Sequence, residues 1–108
     1  MLTWTVEVTE AAREELAVWP IELRASLARI VERIEQIGLD RLGEPFVKHL
    51  EGKLWEMRPS GRRAEGRALY VTATGRRVVI VLAFEKKTQK TPPRIIKLAL
   101  ERVKELEP

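Results

Sequence analysis

The 108-residue sequence contains no cysteine and only one histidine, which removes two common kinds of active site. A cysteine nucleophile and a thiolate metal site are excluded, and one histidine leaves too few ligands for a catalytic metal ion. The neighbouring carboxylates, Glu14-Glu15 and Glu101 with Glu105, fall on polar helix faces and are interpreted as solvated surface. There is also no glycine-rich phosphate cradle. The chain is therefore predicted to work without a metal ion or cofactor.

The sequence also lacks a long apolar run and a secretory leader. None of its apolar stretches approaches the roughly 18 residues needed to cross a bilayer, and no charged-then-apolar segment opens the chain. With 44% hydrophobic residues and no long polar tract, the composition suits one compact domain spanning 1–108. We therefore expect a cytoplasmic protein that does not bind membranes.

Positive charge is abundant but unevenly distributed along the chain. Residues 1–47 hold 5 Lys and Arg against 9 Asp and Glu, residues 48–97 hold 13 against 4, and residues 98–108 hold 2 against 3. A basic block within a single domain is typical of proteins that dock on phosphates, although a solvated charged face has the same composition. The middle of the chain is thus the candidate nucleic-acid surface.

The first half of the chain predicts one strand and two helices. From Thr3 to Val8 apolar and polar residues alternate, which indicates a short, half-buried edge strand. Thr9 is placed to cap a helix that Pro20 ends, with Trp19 in the core. A second helix from Pro20 to Gly38 completes a helical hairpin. Its apolar stripe consists of Leu23, Leu27, Ile30, Ile34 and Ile37.

The second half predicts three strands and a last helix. Residues 39–52 have no sustained period and are expected to form a connection, with a short turn of helix at 46–50. Strands are predicted at 53–58, 67–73 and 76–84, joined by hairpin turns. The apolar run at 78–82 predicts the central strand, covered on both faces. Thr91 is expected to cap a helix that starts at Pro92 and runs to about Leu106.

The predicted fold class is α+β, in the order β-α-α-β-β-β-α. An antiparallel four-stranded sheet is expected, packed by the N-terminal helical hairpin and a C-terminal helix.

Three short motifs resemble those of a known protein family. They are Lys53-Leu54-Trp55-Glu56-Met57-Arg58, Gly66-Arg67-Ala68-Leu69-Tyr70 and Phe84-Glu85-Lys86-Lys87-Thr88-Gln89-Lys90-Thr91-Pro92. Together with the predicted element order, they are similar to the RelE/HigB superfamily of type II toxin–antitoxin toxins, and most of all to its phage-protein-like HigB branch. The third motif is the most specific, because a buried strand ending in Lys-Lys-Thr before a Thr-Pro helix start is rare. The resemblance covers essentially the whole chain.

The resemblance implies a cytoplasmic toxin that cuts messenger RNA, commonly on the ribosome, and that a cognate antitoxin silences. The antitoxin is expected to be a helix-turn-helix protein, so that any contact with DNA is indirect. It would either neutralise the basic surface or cover the outer surface of the helical hairpin.

The resemblance also implies catalytic roles for four basic residues. Arg67 is expected to contact the scissile phosphate, Lys86 and Lys87 to lie beside it, and Arg58 to add a phosphate contact. Metal-free cleavage needs a 2′-OH in line with its own phosphate, support for negative charge and two proton transfers. One lysine would act as general acid and the other as an electrostatic clamp, whereas a base role would need a pKa lowered by crowding. The chain lacks the C-terminal tyrosine of some relatives, so the acid and base stay open.

The remaining polar candidates are assigned to substrate binding. Strand alternation puts either Arg67 or Tyr70 on the concave face, and Arg67 is preferred; Tyr70 would stack on a base, supply a proton or fill the core. His49 titrates in a suitable range for acid–base work but lies in an irregular segment. Further contacts to RNA phosphates are predicted for Arg62, Arg63, Arg76, Arg77 and Lys90.

Two other functions stay open at this point. A ParE-like toxin of the same fold would inhibit DNA gyrase rather than cut RNA, and a plain nucleic-acid-binding module would share the basic surface without chemistry. Growth arrest with intact message would indicate the first of these. Parallel loss of binding and activity in variants of Arg67 or Lys87 would indicate the second.

Overall fold

The computed structural model describes residues 3–106, in which three α-helices pack on a five-stranded mixed sheet. In chain order the elements are β1 (Thr5–Val8), α1 (Glu10–Ala17), α2 (Ile21–Ile37), a short 3-10 helix (Leu39–Arg41), β2 (Val47–Glu51), β3 (Leu54–Met57), β4 (Gly66–Ala73), β5 (Arg77–Glu85) and α3 (Pro93–Lys104). The α+β class is confirmed, with one strand more than predicted. The residues of the predicted domain 1–108 that lie outside the described range are 1, 2, 107 and 108. Within 3–106 no helix combines the length and apolar character needed to cross a membrane.

The additional strand is β2, where the sequence pattern predicted a connection with a turn of helix. It pairs antiparallel with β3 across a turn at Gly52, whose φ of +57° is a backbone conformation that favours glycine. β2 is a short edge strand in which only Val47 is buried, so its residues show no apolar alternation. The helical turn predicted at 46–50 was wrong for that reason.

The sheet order is β1-β5-β4-β3-β2, so the prediction of four antiparallel strands was wrong. β1 lies at an edge as expected, but it runs parallel to β5, with Val6 opposite Val78. A parallel pair needs a long crossover, and here everything from α1 to β4 separates the two strands along the chain. β4 rather than β5 is the middle strand, although β5 is buried on both faces as predicted.

Each face of the sheet has its own core. The α1–α2 hairpin covers one face, called the hairpin face, and α3 covers the other, called the α3 face. Trp19 and the predicted stripe of α2 are buried, except that Ile37 at the helix end is exposed. The hairpin-face core includes Trp19, Leu23, Leu27, Ile30, Ile34, Tyr70, Val78 and Ile80. The α3-face core includes Leu54, Leu69, Val71, Val79, Val81, Leu82 and Ala99.

The two predicted helix caps turn out differently. Thr9 caps α1 as expected, because its hydroxyl oxygen accepts a hydrogen bond of 3.2 Å from the Ala12 N–H. Thr91 does not cap α3, which begins at Pro93 with Pro92 as its N-cap residue. The Thr91 hydroxyl instead donates to Glu56 Oε1 at 2.9 Å. The two prolines have no N–H groups to be capped, which leaves this hydroxyl free for another partner.

A β-bulge interrupts the pairing of β4 with β5. Leu69 lies opposite Leu82, but the next residue, Tyr70, lies opposite Ile80, so Val81 is the extra residue. Val81 and Leu82 therefore both belong to the α3-face core. The bulge reverses the side-chain alternation of β5 before the strand reaches its basic end.

An ion pair provides hydrogen-bond partners for the backbone of β5 at the bulge. β1 has ended by this point, so the Val81 carbonyl and the Ala83 N–H have no strand partner. Arg102 Nη1 donates to the Val81 carbonyl at 2.9 Å, and the Ala83 N–H donates to Glu15 Oε1 at 3.0 Å. Arg102 and Glu15 also bind each other at 2.9 Å, which ties α3 to α1 around the sheet edge. The interpretation of Glu15 as solvated surface was wrong.

Replacing Arg102 or Glu15 with alanine is expected to lower the free energy of unfolding by about 1–3 kcal/mol, because a buried backbone group loses its partner. The hydrogen bond to Glu15 raises the pKa of Arg102, so the arginine remains charged. Urea unfolding measures the effect, with Arg13→Ala on the exposed side of α1 as the control. Equal unfolding midpoints in the three variants would contradict the assignment.

Candidate nucleic-acid interface and active site

One end of the sheet collects most of the basic residues from the middle of the chain. β3 and β5 end there, and β4 begins there. The basic residues at this end are Arg58, Arg62, Arg63, Arg67, Lys86, Lys87 and Lys90, and this set is called the cationic end. All four predicted catalytic residues are thus brought to the same end of the sheet.

Arg67 lies in β4, opposite Phe84, and only 3% of its side chain is exposed. Its Nη1 donates to the Gly66 carbonyl at 2.7 Å, while its Nε lies 3.6 Å from Glu56 Oε2. Its Nη2 lies 3.5 Å from Glu65 Oε1. Burial lowers the pKa of Arg67, and Glu56 opposes this shift. Because arginine stays protonated in proteins, Arg67 is a fixed positive charge at the start of a rigid strand.

Glu56 is a buried carboxylate that joins three parts of the cationic end. It accepts the hydrogen bond from Thr91, and its Oε2 lies 3.6 Å from the Nε atoms of both Arg58 and Arg67. It therefore ties the end of β3, the start of β4 and the start of α3 to one point. Sequence reasoning missed this residue. The available signal was a charged residue two positions after Leu54, on the buried side of the strand.

Arg58 has a hydrogen-bond donor that no residue of the described chain uses. Its Nε is buried and has no hydrogen-bond partner within residues 3–106, because the 3.6 Å separation from Glu56 is too long for a hydrogen bond. The Arg58 side chain reaches the surface, since 26% of it is exposed. Arg58 can therefore donate to an oxygen atom of a bound ligand.

Lys86 and Lys87 differ in their surroundings. The ammonium of Lys86 is mostly buried and lies 3.8 Å from Glu65 Oε1, and its backbone N–H donates to the Glu65 carbonyl at 2.7 Å. Lys87 is exposed. The Thr88 hydroxyl donates to the Lys90 carbonyl at 2.7 Å and folds the following segment back on itself. Lys86 thus offers a fixed charge, whereas the side chain of Lys87 is free to follow a ligand.

The loop that carries Arg62 and Arg63 is anchored by α2. Glu22 Oε2 accepts from the Arg62 N–H at 3.2 Å, and the Ser26 hydroxyl accepts from the Ser60 N–H at 3.1 Å. The side chains of Arg62 and Arg63 remain exposed. An anchored backbone with exposed guanidinium groups is suited to contacts with a phosphate backbone.

Arg76 and Arg77 are not brought to the cationic end. They lie at the other end of the β4–β5 hairpin, where Arg77 is opposite Ala73, roughly 20 Å from Arg67 along the strand. Arg77 donates two hydrogen bonds to Glu7, at 2.6 and 3.0 Å, which raise the pKa of Arg77 and lower that of Glu7. A count of charge along the chain cannot show this separation, because a hairpin sends nearby residues to opposite ends of the sheet.

Tyr70 and His49 also lie away from the cationic end. Tyr70 is buried on the hairpin face, where it lines a cavity of about 360 Å³ with Trp4 and Trp55. Burial raises the pKa of Tyr70, so its hydroxyl keeps its proton. His49 is exposed on β2, with its ring edge-on to Trp55 at 5.1 Å between centroids. Residues 3–106 contain no group of three or more histidine, aspartate or glutamate side chains that could hold a metal ion.

Comparison with known proteins connects this sequence and this fold to a family. The sequence matches the model of the family described as Phage derived protein Gp49-like over residues 14–104. None of the curated proteins compared with the sequence matches it. Among solved structures, the fold is similar to a chain of the toxin–antitoxin complex RelBE2 from Mycobacterium tuberculosis, with a TM-score of 0.57 and 21% identity over 79% of this chain and 100% of that chain. The protein therefore belongs to the phage-derived Gp49-like family of RelE/HigB-like toxins, as its motifs indicated.

Proposed function

We propose that this RelE-type toxin is an endoribonuclease that cuts messenger RNA without a metal ion, on message bound to the ribosome. The observation that carries the proposal is the convergence of Arg58, Arg67, Lys86 and Lys87 at one end of the sheet. Arg58 and Arg67 both lie 3.6 Å from the buried carboxylate of Glu56, so these two cations are oriented before substrate arrives. Preorganised charge aimed at a reacting phosphate is the largest single contribution that such a site can make.

The reaction that fits these residues is an attack of the ribose 2′-OH on the adjacent phosphorus. The new bond joins the 2′ oxygen to phosphorus, the 2′-OH proton passes to solvent water, and the bond to the 5′ oxygen breaks. The products end in a 2′,3′-cyclic phosphate and a 5′-OH. Arg67 and Arg58 stabilise the charge on the non-bridging oxygens. Lys87, which is exposed, donates a proton to the leaving 5′ oxygen, and Lys86 acts as an electrostatic clamp.

The exposed arginines of the anchored loop extend the same surface. Arg62 and Arg63 flank the site and would contact phosphates of the message or of ribosomal RNA. Contacts of this kind hold the substrate in register without reading its sequence, and they weaken as salt concentration rises. This supports action on a nucleic-acid assembly rather than on a small molecule.

A bound antitoxin is the proposed regulator of this chain. The RelBE2 structure is a toxin–antitoxin complex, and its similarity in fold supports an antitoxin partner here. A helix-turn-helix antitoxin would give this toxin its contact with DNA.

Expression in growing bacteria tests the proposal. Inducing the wild-type chain is expected to produce new 5′ ends inside translated reading frames, and Lys87→Ala is expected to lose them, because the leaving oxygen then lacks its proton donor. Arg29→Ala, an exposed change on α2, is the matched control and should retain the cuts. Growth arrest with intact message would contradict the proposal and favour a gyrase-directed toxin.

A further inference from the structure

The buried position of Arg67 conflicts with its proposed contact to a phosphate. Only 3% of the Arg67 side chain is exposed, whereas the side chain of Glu65, its ion-pair partner, is 56% exposed. Glu65 Oε1 is 3.5 Å from Arg67 Nη2 and 3.8 Å from Lys86 Nζ. A single carboxylate oxygen thus bridges Arg67 and Lys86, two of the cations that are proposed to bind the substrate.

We infer that Arg67 and Lys86 form a binding site for one phosphate group of the RNA backbone, and that the Glu65 carboxylate occupies this site until RNA displaces it. The identity of the ligand rests on the proposed function. Carboxylate and phosphate groups both present paired anionic oxygens to a guanidinium, so one can take the place of the other. Glu65 then lowers the affinity of the empty toxin for anions without taking part in the chemical step.

The geometry lets the carboxylate leave without any change in the strand. The Glu65 carbonyl is held by the Lys86 N–H at 2.7 Å, and Glu65 forms an isolated bridge with Ser60. Only the Glu65 side chain has to rotate, and because 56% of it is exposed, its carboxylate can move into solvent. The Arg67 guanidinium itself stays fixed, because its Nη1 donates to the Gly66 carbonyl and its Nε lies beside Glu56. When the carboxylate leaves, Arg67 Nη2 loses its partner and can donate to the incoming phosphate.

The inferred role differs in a measurable way from that of a general base. A base would take the proton from the 2′-OH, so its removal would lower kcat. A competing carboxylate raises the apparent dissociation constant of the ligand, so its removal tightens binding and leaves kcat unchanged. Substitution of Glu65 therefore lowers kcat if the residue is a base, and lowers the dissociation constant of the ligand if it is a competing carboxylate.

The test compares Glu65→Gln and Glu65→Ala with Glu85→Gln. Glu85 ends β5 opposite Gly66 at the same end of the sheet, and loss of either carboxylate changes the net charge by the same amount. The probes are inorganic phosphate and an RNA with a 2′-deoxy nucleotide at the cleavage site. We expect both Glu65 variants to bind each probe about two- to fivefold more tightly than the wild type and Glu85→Gln. Their kcat on cleavable message should equal that of the wild type.

Two results would overturn the inference. One is equal phosphate affinity in the Glu65 variants and in Glu85→Gln. The other is a fall in kcat of about 100-fold with unchanged affinity, which would identify Glu65 as the base. If the wild type cuts no RNA but the Glu65 variants still bind phosphate more tightly than Glu85→Gln, the proposed function fails and the anion site stands.

Discussion

Replacing Arg67 with lysine is expected to lower kcat/KM for message cleavage by about 100-fold or more, because one guanidinium donor set aimed at the phosphate is lost. Lysine keeps the positive charge between Glu56 and Glu65, so the buried carboxylate retains a partner and the fold is preserved. It cannot reproduce the forked geometry in which Nη1 binds the Gly66 carbonyl while Nη2 lies beside the Glu65 carboxylate. Charge alone would therefore leave the site inactive.

Initial rates on a defined ribosome-bound message measure this effect, with thermal unfolding to verify the fold. Arg63→Lys is the matched control, because Arg63 is exposed at the same end of the sheet and is assigned only to outer phosphate contacts. Its activity should stay within a few fold of the wild type. If Arg67→Lys were as active as Arg63→Lys, Arg67 would be a structural arginine and the site would have to lie elsewhere.

Replacing Trp19 with alanine is expected to lower the free energy of unfolding by about 3–5 kcal/mol, a large share of the stability of a domain of this size. Trp19 is 3% exposed and packs against Gly66, at the start of β4. A Cβ atom at Gly66 would lie 2.6 Å from the Trp19 ring, so the absence of a side chain there is what admits the indole. The substitution opens a cavity next to Gly66, the residue that precedes Arg67 in β4.

Urea unfolding of Trp19→Ala and Trp55→Ala measures the difference between a buried and a partly exposed indole. Trp55 is 39% exposed, so its loss should cost clearly less than that of Trp19. A smaller shift in Trp19→Ala than in Trp55→Ala would show that the hairpin does not pack on the sheet as described. The cavity adjoins the start of β4, where Arg67 lies. Trp19→Ala is therefore also expected to lose RNA-cleavage activity under conditions in which the protein is still folded.

The sequence predicted correctly those features that depend on a single helix or strand. The hydroxyl of Thr9, the helical stripe of α2 and the apolar run of β5 each produce a pattern within a few residues, and each was placed correctly. Tertiary pairing decided what the sequence left undetermined. β2 has no alternation of its own, and the direction of β1 depends on a partner far along the chain.

The candidate site shows the same division. The motifs identified the four basic residues that meet at the cationic end, and the family match supports that resemblance. They did not indicate Glu56 and Glu65, because the role of these carboxylates depends on ion pairs that form only in the folded sheet. Arg76 was grouped with the other arginines by composition, whereas the hairpin puts it at the far end.

The chemical ends of the RNA fragments distinguish attack by the ribose 2′-OH from attack by water. The purified toxin is incubated with ribosomes translating a defined message, and the same message is prepared with a 2′-deoxy nucleotide at the mapped cleavage site. We predict fragments with a 2′,3′-cyclic phosphate and a 5′-OH, and no cleavage of the substituted message. Fragments with 5′-phosphates, or cleavage that survives the substitution, would show that water rather than the 2′-OH attacks, and would contradict the metal-free mechanism.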